Sequence, residues 1–210
     1  MQADVFRAWI TAAARVIEEQ RDHLTQLDAA IGDADHGINL SRGFTAVLSA
    51  LESAAPATPG AVLTLTGATL ISKVGGASGP LYGTAFRGAG KALGDTTDVD
   101  LPGLAAALEA ALAGVQRLGA GREGDKTMVD ALAPATGAFS KAVAEGASDA
   151  EALTALAEAA QAGAMATIPM QALKGRASYL GPRSVGHQDP GAASTALILA
   201  VLRDAALAGP

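Results

Sequence analysis

A chain of 210 residues is long enough to bury one ordinary core, and its length gives no reason to divide it into domains. Half of its residues are apolar but only 3% are aromatic, so the core must be assembled from Ala, Leu, Val and Ile, which suits helices meeting through small side chains. A net charge of −6 argues against a nucleic-acid partner, and the absence of cysteine excludes disulfides, thiolate catalysis and cysteine-ligated metal centres.

Apolar residues recur at helical spacing almost throughout, and no segment alternates with period two. Asp4 and Arg7 interrupt any leader-like pattern at the N-terminus. Val5, Phe6, Trp9, Ile10, Ala13, Val16, Ile17, Leu24 and Leu27 predict one long first helix, and Leu40, Phe44, Val47, Leu48 and Leu51 a second. The uncharged stretch from Ser53 to Ser72 carries Pro56, Pro59, Gly60 and Gly67, so it is no membrane span; a third helix is predicted from about Gly60 to Lys73. Leu81 to Leu93 gives the fourth. The fifth is the cleanest stripe, Leu101 to Leu118, opened by Asp100 as N-cap with Pro102 in its first turn. The sixth spans roughly Thr127 to Glu145, and the seventh opens on a capping box formed by Ser148 and Glu151. The eighth, Gly191 to Leu207, is apolar nearly all round from Ala192 to Leu202 and therefore central. Eight helices joined by short connectors predict one all-α domain over 1–210, in a globular protein expected to be cytoplasmic, with no membrane and no nucleic acid among its partners. Only Met170 to Pro190 breaks the regularity, a polar loop too long for a mere connector.

Four segments could carry chemistry. In the first, Asp28, Asp33 and Asp35 place three carboxylates within eight residues, with Gly32 and Gly37 freeing the backbone to bend. Oxygen-only ligands of this kind suit Mg²⁺, which binds through carboxylates and phosphates; equally, Asp33 and Asp35 are good turn and cap residues. An EF-hand is rejected, because Phe44 stands where the terminal glutamate belongs. His36 could cap the next helix, contact phosphate or pack. The second segment, Gly75-Gly76-Ala77-Ser78-Gly79-Pro80, puts glycines before a helix, where exposed N–H groups and the positive dipole end would cradle an anion or simply make a turn. The third, Gly119 to Thr127, contains a formal G-x-G-x-x-G and lies one residue from a Walker A, but both need a preceding strand, and here a helix precedes. The fourth comprises Gly175 to Gly181 and Ser184 to Gly191, with Arg176, Arg183, His187 and Asp189; Arg suits phosphate through its fork of donors.

In this order, Asp28…Gly32-Asp33-Ala34-Asp35-His36-Gly37, Gly75 to Gly83, Gly124-Asp125-Lys126-Thr127-Met128 and Gly175 to Gly191 resemble the motifs of the nucleotide-binding L subunit of dihydroxyacetone kinases. The resemblance covers essentially the whole chain and implies an antiparallel eight-helix barrel. It implies two Mg²⁺ ions held by Asp28, Asp33 and Asp35, and ADP or ATP bound along His36, Gly37, Ile38, Asn39, Ala77 and Ser78, with Gly119, Met128, Arg176, Asp189, Pro190 and Gly191 completing the site. Arg176 and the three aspartates are the expected catalytic groups. Ala34, where the family often has Gly, and Pro182, where Glu is common, are departures. The resemblance further implies a separate K subunit holding dihydroxyacetone covalently on a histidine. In one version an M subunit bearing a phosphohistidine rephosphorylates bound ADP; in another, ATP is consumed. An L-subunit homodimer is a further assembly it allows. Competing readings keep the fold and change the acceptor, to another ketose or a fatty-acid carrier protein, or make the chain a nucleotide-dependent coactivator.

Overall fold

The computed structural model describes residues 1–209, and among these every regular element is helical. Nine α-helices follow one another: α1 Ala3–Glu19, α2 Arg21–Ile31, α3 His36–Ala54, α4 Pro59–Lys73, α5 Ser78–Leu93, α6 Leu101–Gly119, α7 Val129–Ala144, α8 Asp149–Ala166 and α9 Pro190–Ala208. A 3-10 segment, Arg176–Ser184, lies between α8 and α9.

Two of these elements differ from the sequence expectation. The predicted first helix is broken in two at Gln20, which leaves helical geometry (φ −97°, ψ 7°). The apolar stripe lapses between Ile17 and Leu24, so packing does not hold the polar run Glu18 to Asp22 in line, and Arg21 instead bonds both Glu18 and Asp22 across the break. The long loop after α8 contains the 3-10 segment, itself interrupted at Gly181 (φ 55°, ψ −129°). Elsewhere the sequence signals act as read. Asp100 accepts from the Gly103 N–H, and Ser148 and Glu151 form both halves of a capping box.

The wall is a closed succession of neighbours. Helix α1 packs on α3, α3 on α4, and so on through α5, α6, α7, α8 and α9, which returns to α1. Eight helices thus form a ring consistent with the expected barrel, while α2 stands outside it against α3 and α9. Most connectors in the ring are short, so successive helices run antiparallel. Small residues set the closeness of the wall. A Cβ on Gly67 would lie 2.5 Å from the Gly83 carbonyl oxygen, and one on Gly90 would lie 2.6 Å from that of Gly60, so α4 and α5 touch backbone to backbone. Gly163 does the same for α8 against α7, where a Cβ would lie 2.1 Å from the Asp130 carbonyl oxygen.

Inside the ring, the few aromatics gather. Trp9 packs 5.6 Å from Phe86 and Phe44 6.3 Å from Phe86 between ring centroids, and the Trp9 indole N–H donates to the Ile198 carbonyl at 2.9 Å. Helix α9 is long and apolar enough to cross a membrane by length and composition, but here it is a wall stave whose Ala192, Ala196, Ile198, Leu199 and Leu202 are buried in the common core.

Candidate functional site

The antiparallel alternation has one chemical consequence. Every second wall helix starts at the same end, so the first turns of α3, α5, α7 and α9 meet around one cavity of about 190 Å³. His36, Ser78, Met128 and Pro190 each mark one of those starts and each lines it. Four positive dipole ends therefore face a single space, a strong field for a polyanion.

The acidic turn closes the rim. Asp28, on the last turn of α2, is only 8% exposed, and its Oδ2 accepts the N–H of Asp35 at 2.8 Å and of His36 at 3.1 Å. It thus caps α3 from a neighbouring helix, tying the turn to its own start. Gly32 is required by this closeness, since a Cβ there would lie 2.0 Å from Asp28 Oδ1. Ala34 takes a left-handed backbone (φ 62°), which turns the chain so that Asp33 and Asp35 come back toward Asp28. One oxygen from each of the three carboxylates lies within 4.8 Å of the others. A group of opposite charge joins them, the Arg176 guanidinium, whose Nη2 lies 3.1 Å from Asp33 Oδ2. Three carboxylates gathered this tightly repel one another unless a cation sits among them, and an all-oxygen donor set fits a hard divalent ion such as Mg²⁺.

Beneath the rim, a polar network braces the helix starts. His36 Nδ1 lies 3.1 Å from Ser78 Oγ and Nε2 lies 2.8 Å from Ser194 Oγ, joining α3 to α5 and α9. The Tyr82 hydroxyl lies 2.7 Å from Ser194 Oγ and 2.8 Å from Thr195 Oγ1, and donates to or accepts from this pair while 3.0 Å from the Gly191 carbonyl. Burial lowers the pKa of His36 to about 4 against the opposing pull of Asp28, so the ring is neutral at pH 7. Burial likewise raises the Tyr82 phenol, keeping it protonated. Asp189 caps α9 by accepting the Ala192 N–H at 2.7 Å, and burial pushes its pKa up to about 7 against the effect of that bond.

Most of the residues singled out in the sequence meet here. Asp28, Asp33, Asp35 and His36 line the cavity from one side, Ala77 and Ser78 from another, and Met128, Arg176, Asp189, Pro190 and Gly191 from the rest. Four do not line it. Gly37 faces α2, where a Cβ would lie 2.0 Å from the Arg21 carbonyl oxygen; its smallness serves helix packing. Ile38 is exposed and Asn39 is buried with its Oδ1 accepting from Arg42, while Gly119 stands at the end of α6 beside Leu81. Residues the sequence reading passed over include Tyr82, Ser194 and Lys174. Ser194 and Thr195, two adjacent hydroxyls in the otherwise apolar start of the last helix, were the available signal, because a buried hydroxyl needs a partner.

Comparisons with known proteins give the relatives of the chain as a whole. The family described as DAK2 domain matches residues 30–204. The Escherichia coli (strain K12) protein named PEP-dependent dihydroxyacetone kinase, ADP-binding subunit DhaL, is 42% identical over 198 residues, 94% of this chain and 94% of that protein. A Listeria innocua relative named PEP-dependent dihydroxyacetone kinase 1, ADP-binding subunit DhaL, is 42% identical over 190 residues, 90% of each. Among solved structures, the dihydroxyacetone kinase from C. freundii in complex with AMP-PNP and Mg²⁺ superposes with a TM-score of 0.72 and 28% identity over 96% of this chain, which spans 34% of that one.

Proposed function

Because the chain belongs to the DAK2 domain family, we propose that it is the ADP-binding subunit of a multi-subunit dihydroxyacetone kinase, a phosphotransferase acting on an alcohol group. The observation that carries this reading is the meeting of four helix starts with three carboxylates at one cavity. Phosphates would lie against the N–H groups of α3, α5, α7 and α9, and Asp28, Asp33 and Asp35 would hold two Mg²⁺ ions against them. Bound magnesium neutralises phosphate charge and orients the groups for in-line transfer.

The remaining work falls to the chain itself. Neutral His36, held between Ser78 and Ser194, fixes the relative positions of three helix starts and adds no charge of its own. Arg176 offers a planar cation at the rim, beside Asp33, where charge on a transferring phosphoryl group would be greatest. ADP or ATP would extend from the phosphate site along Ala77, Ser78, Met128 and Gly191. The acceptor would be dihydroxyacetone held on a separate K subunit, and an M subunit carrying a phosphohistidine would rephosphorylate the bound ADP, as the PEP-dependent relatives suggest.

The test is reconstitution. Isolated protein is expected to bind ADP in the presence of Mg²⁺, measured by calorimetry, and to leave free dihydroxyacetone unphosphorylated. Turnover should appear when a dihydroxyacetone-binding K subunit is supplied together with a phosphorylated M subunit. Failure to bind ADP with Mg²⁺ would exclude the reading outright.

A further inference from the structure

Lys126 is the near-Walker lysine of the sequence, and although the residue borders the cavity, its ammonium is engaged by backbone carbonyls. The residue is 1% exposed and its backbone is left-handed (φ 62°). Its Nζ shares its three protons among four carbonyl oxygens within hydrogen-bond distance: Thr167 at 2.9 Å, Met170 at 3.1 Å, Ser184 at 2.8 Å and His187 at 2.5 Å. Among the described residues none of its ion-pair contacts is to a carboxylate within salt-bridge distance. A buried ammonium is costly to hold; the charge of Asp189 favours it from nearby, and converging carbonyl dipoles are the way proteins hold a dehydrated monovalent cation.

The four carbonyls are not a random set. Thr167 and Met170 lie where the chain leaves α8, and Ser184 and His187 lie where it returns toward α9. Between these two feet the chain makes the excursion that carries Arg176. Other bonds close the same base: the Ala172 N–H donates to Ser184 Oγ at 2.9 Å, and the Gly186 N–H to the Ile168 carbonyl at 2.8 Å. Beyond the base the anchorage thins. Ala172 and Ala177 make a small apolar contact with Ile31, and Tyr179 is 88% exposed.

We propose that Lys126 is a positioning residue for Arg176: by drawing four carbonyls onto one ammonium it closes the base of the 171–183 excursion and sets the guanidinium beside the three carboxylates. This deepens the kinase reading and rests on the role given there to Arg176. The ammonium touches no reacting atom; its effect on transfer passes entirely through the loop.

The experiment uses the reconstituted kinase. Lys126→Met keeps the apolar stem but ends one atom short of Nζ, which leaves the place of the ammonium open, and it is expected to lower kcat on the order of 10²-fold, as small misplacements of a catalytic group do. The affinity for ADP with Mg²⁺, measured by calorimetry, should change by less than about tenfold, since Arg176 acts mainly in the transition state. In an Arg176→Ala background the same substitution should cost little more, because the two residues act as one unit. Ammonium chloride should restore part of the kcat of Lys126→Met, while tetramethylammonium chloride at equal ionic strength should not. An unchanged kcat, a loss that multiplies in full with that of Arg176→Ala, or absence of ammonium rescue overturns the proposal. Lys126→Gln retains two N–H donors, and the same cycle run with it decides the matter if circular dichroism shows the Met variant unfolded. Wild-type protein that fails to bind ADP would instead remove the nucleotide reading, so the two failures are distinguishable.

Discussion

Arg176 Nη2 and Asp33 Oδ2 stand 3.1 Å apart, although 143 positions of sequence would separate them along the chain (176 − 33). The pair joins the long loop before the last helix to the acidic turn before α3, and it is where a cation of the protein meets the expected metal site. Both groups are well exposed, so the pair itself adds little stability. Its significance is placement.

Arg176→Lys therefore separates placement from charge. Lysine keeps the positive charge but lacks the planar fork, so turnover should fall on the order of 10–10²-fold while ADP affinity changes far less. Steady-state kinetics of the reconstituted kinase beside calorimetry gives both numbers. Equal turnover for the two side chains would return Arg176 to the role of a surface charge.

Asp33→Asn and Asp35→Asn remove charge from the rim without touching the wall. Each should abolish Mg²⁺-dependent retention of ADP and leave helical content and unfolding midpoint nearly unchanged. Asp28→Asn should behave differently, because Asp28 also accepts the N–H groups of Asp35 and His36. A loss of about 1 kcal/mol or more in stability is expected alongside the lost binding, since a neutral amide oxygen is the weaker cap acceptor. Urea titration of the three variants without nucleotide makes the comparison.

Asp189 gives a pH signature. Its folded pKa of about 7 lies above the model-peptide value of 3.8, so between those limits the folded state binds more protons than the unfolded one. That contribution to stability is fully present below the lower value and is lost as pH rises toward 7. Asp189→Asn removes the titration while retaining a side chain that caps helices well. The variant should thus gain stability relative to wild type as pH rises from 5 toward about 7, and the gain should level off above it. Denaturant midpoints of both proteins across that range, without nucleotide, test the sign; a difference that stays flat contradicts the burial of the carboxyl.

Ala34→Gly is expected to stabilise. The left-handed backbone at φ 62° disfavours a side chain by roughly 1–2 kcal/mol, partly offset by the greater freedom glycine brings to the unfolded chain, so a net gain of about 0.5–1 kcal/mol is expected. Urea unfolding of the two proteins measures it directly, and a destabilised glycine variant would show that the turn relaxes away from this conformation.

Much of this architecture was legible beforehand because it depends on local signals. The stripe of α6, the Asp100 cap and the Ser148–Glu151 box are written in spacing alone, and they appear where spacing puts them. The acidic triplet was legible because its members are neighbours in sequence. The break at Gln20 was not, since helix propensity continues through it and only the lapse of packing between Ile17 and Leu24 ends α1. The brace of His36, Ser78, Tyr82 and Ser194 was hidden for another reason: its four members come from three helices, and nothing local says which faces will meet. Lys126 was read correctly as no Walker lysine, but its four carbonyl partners lie 41 to 61 residues further on, beyond the reach of any pattern.

The break at Gln20 also settles a question of parity. A ring in which every helix opposes both neighbours closes only with an even number of staves, and the described residues form nine α-helices. By excusing α2 from the wall, the break leaves eight staves and sets aside an eleven-residue helix that joins the main core only through Leu24 and, at its edge, Leu27. The chain arrives at the mouth with α1, lingers there as α2, and departs down α3. A segment with no wall to build can afford a polar face, and it is on this supernumerary helix that Asp28 rides. The odd helix out is thus what lets a barrel of largely apolar staves bring a third carboxylate up to Asp33 and Asp35 at its opening without taking it from the wall.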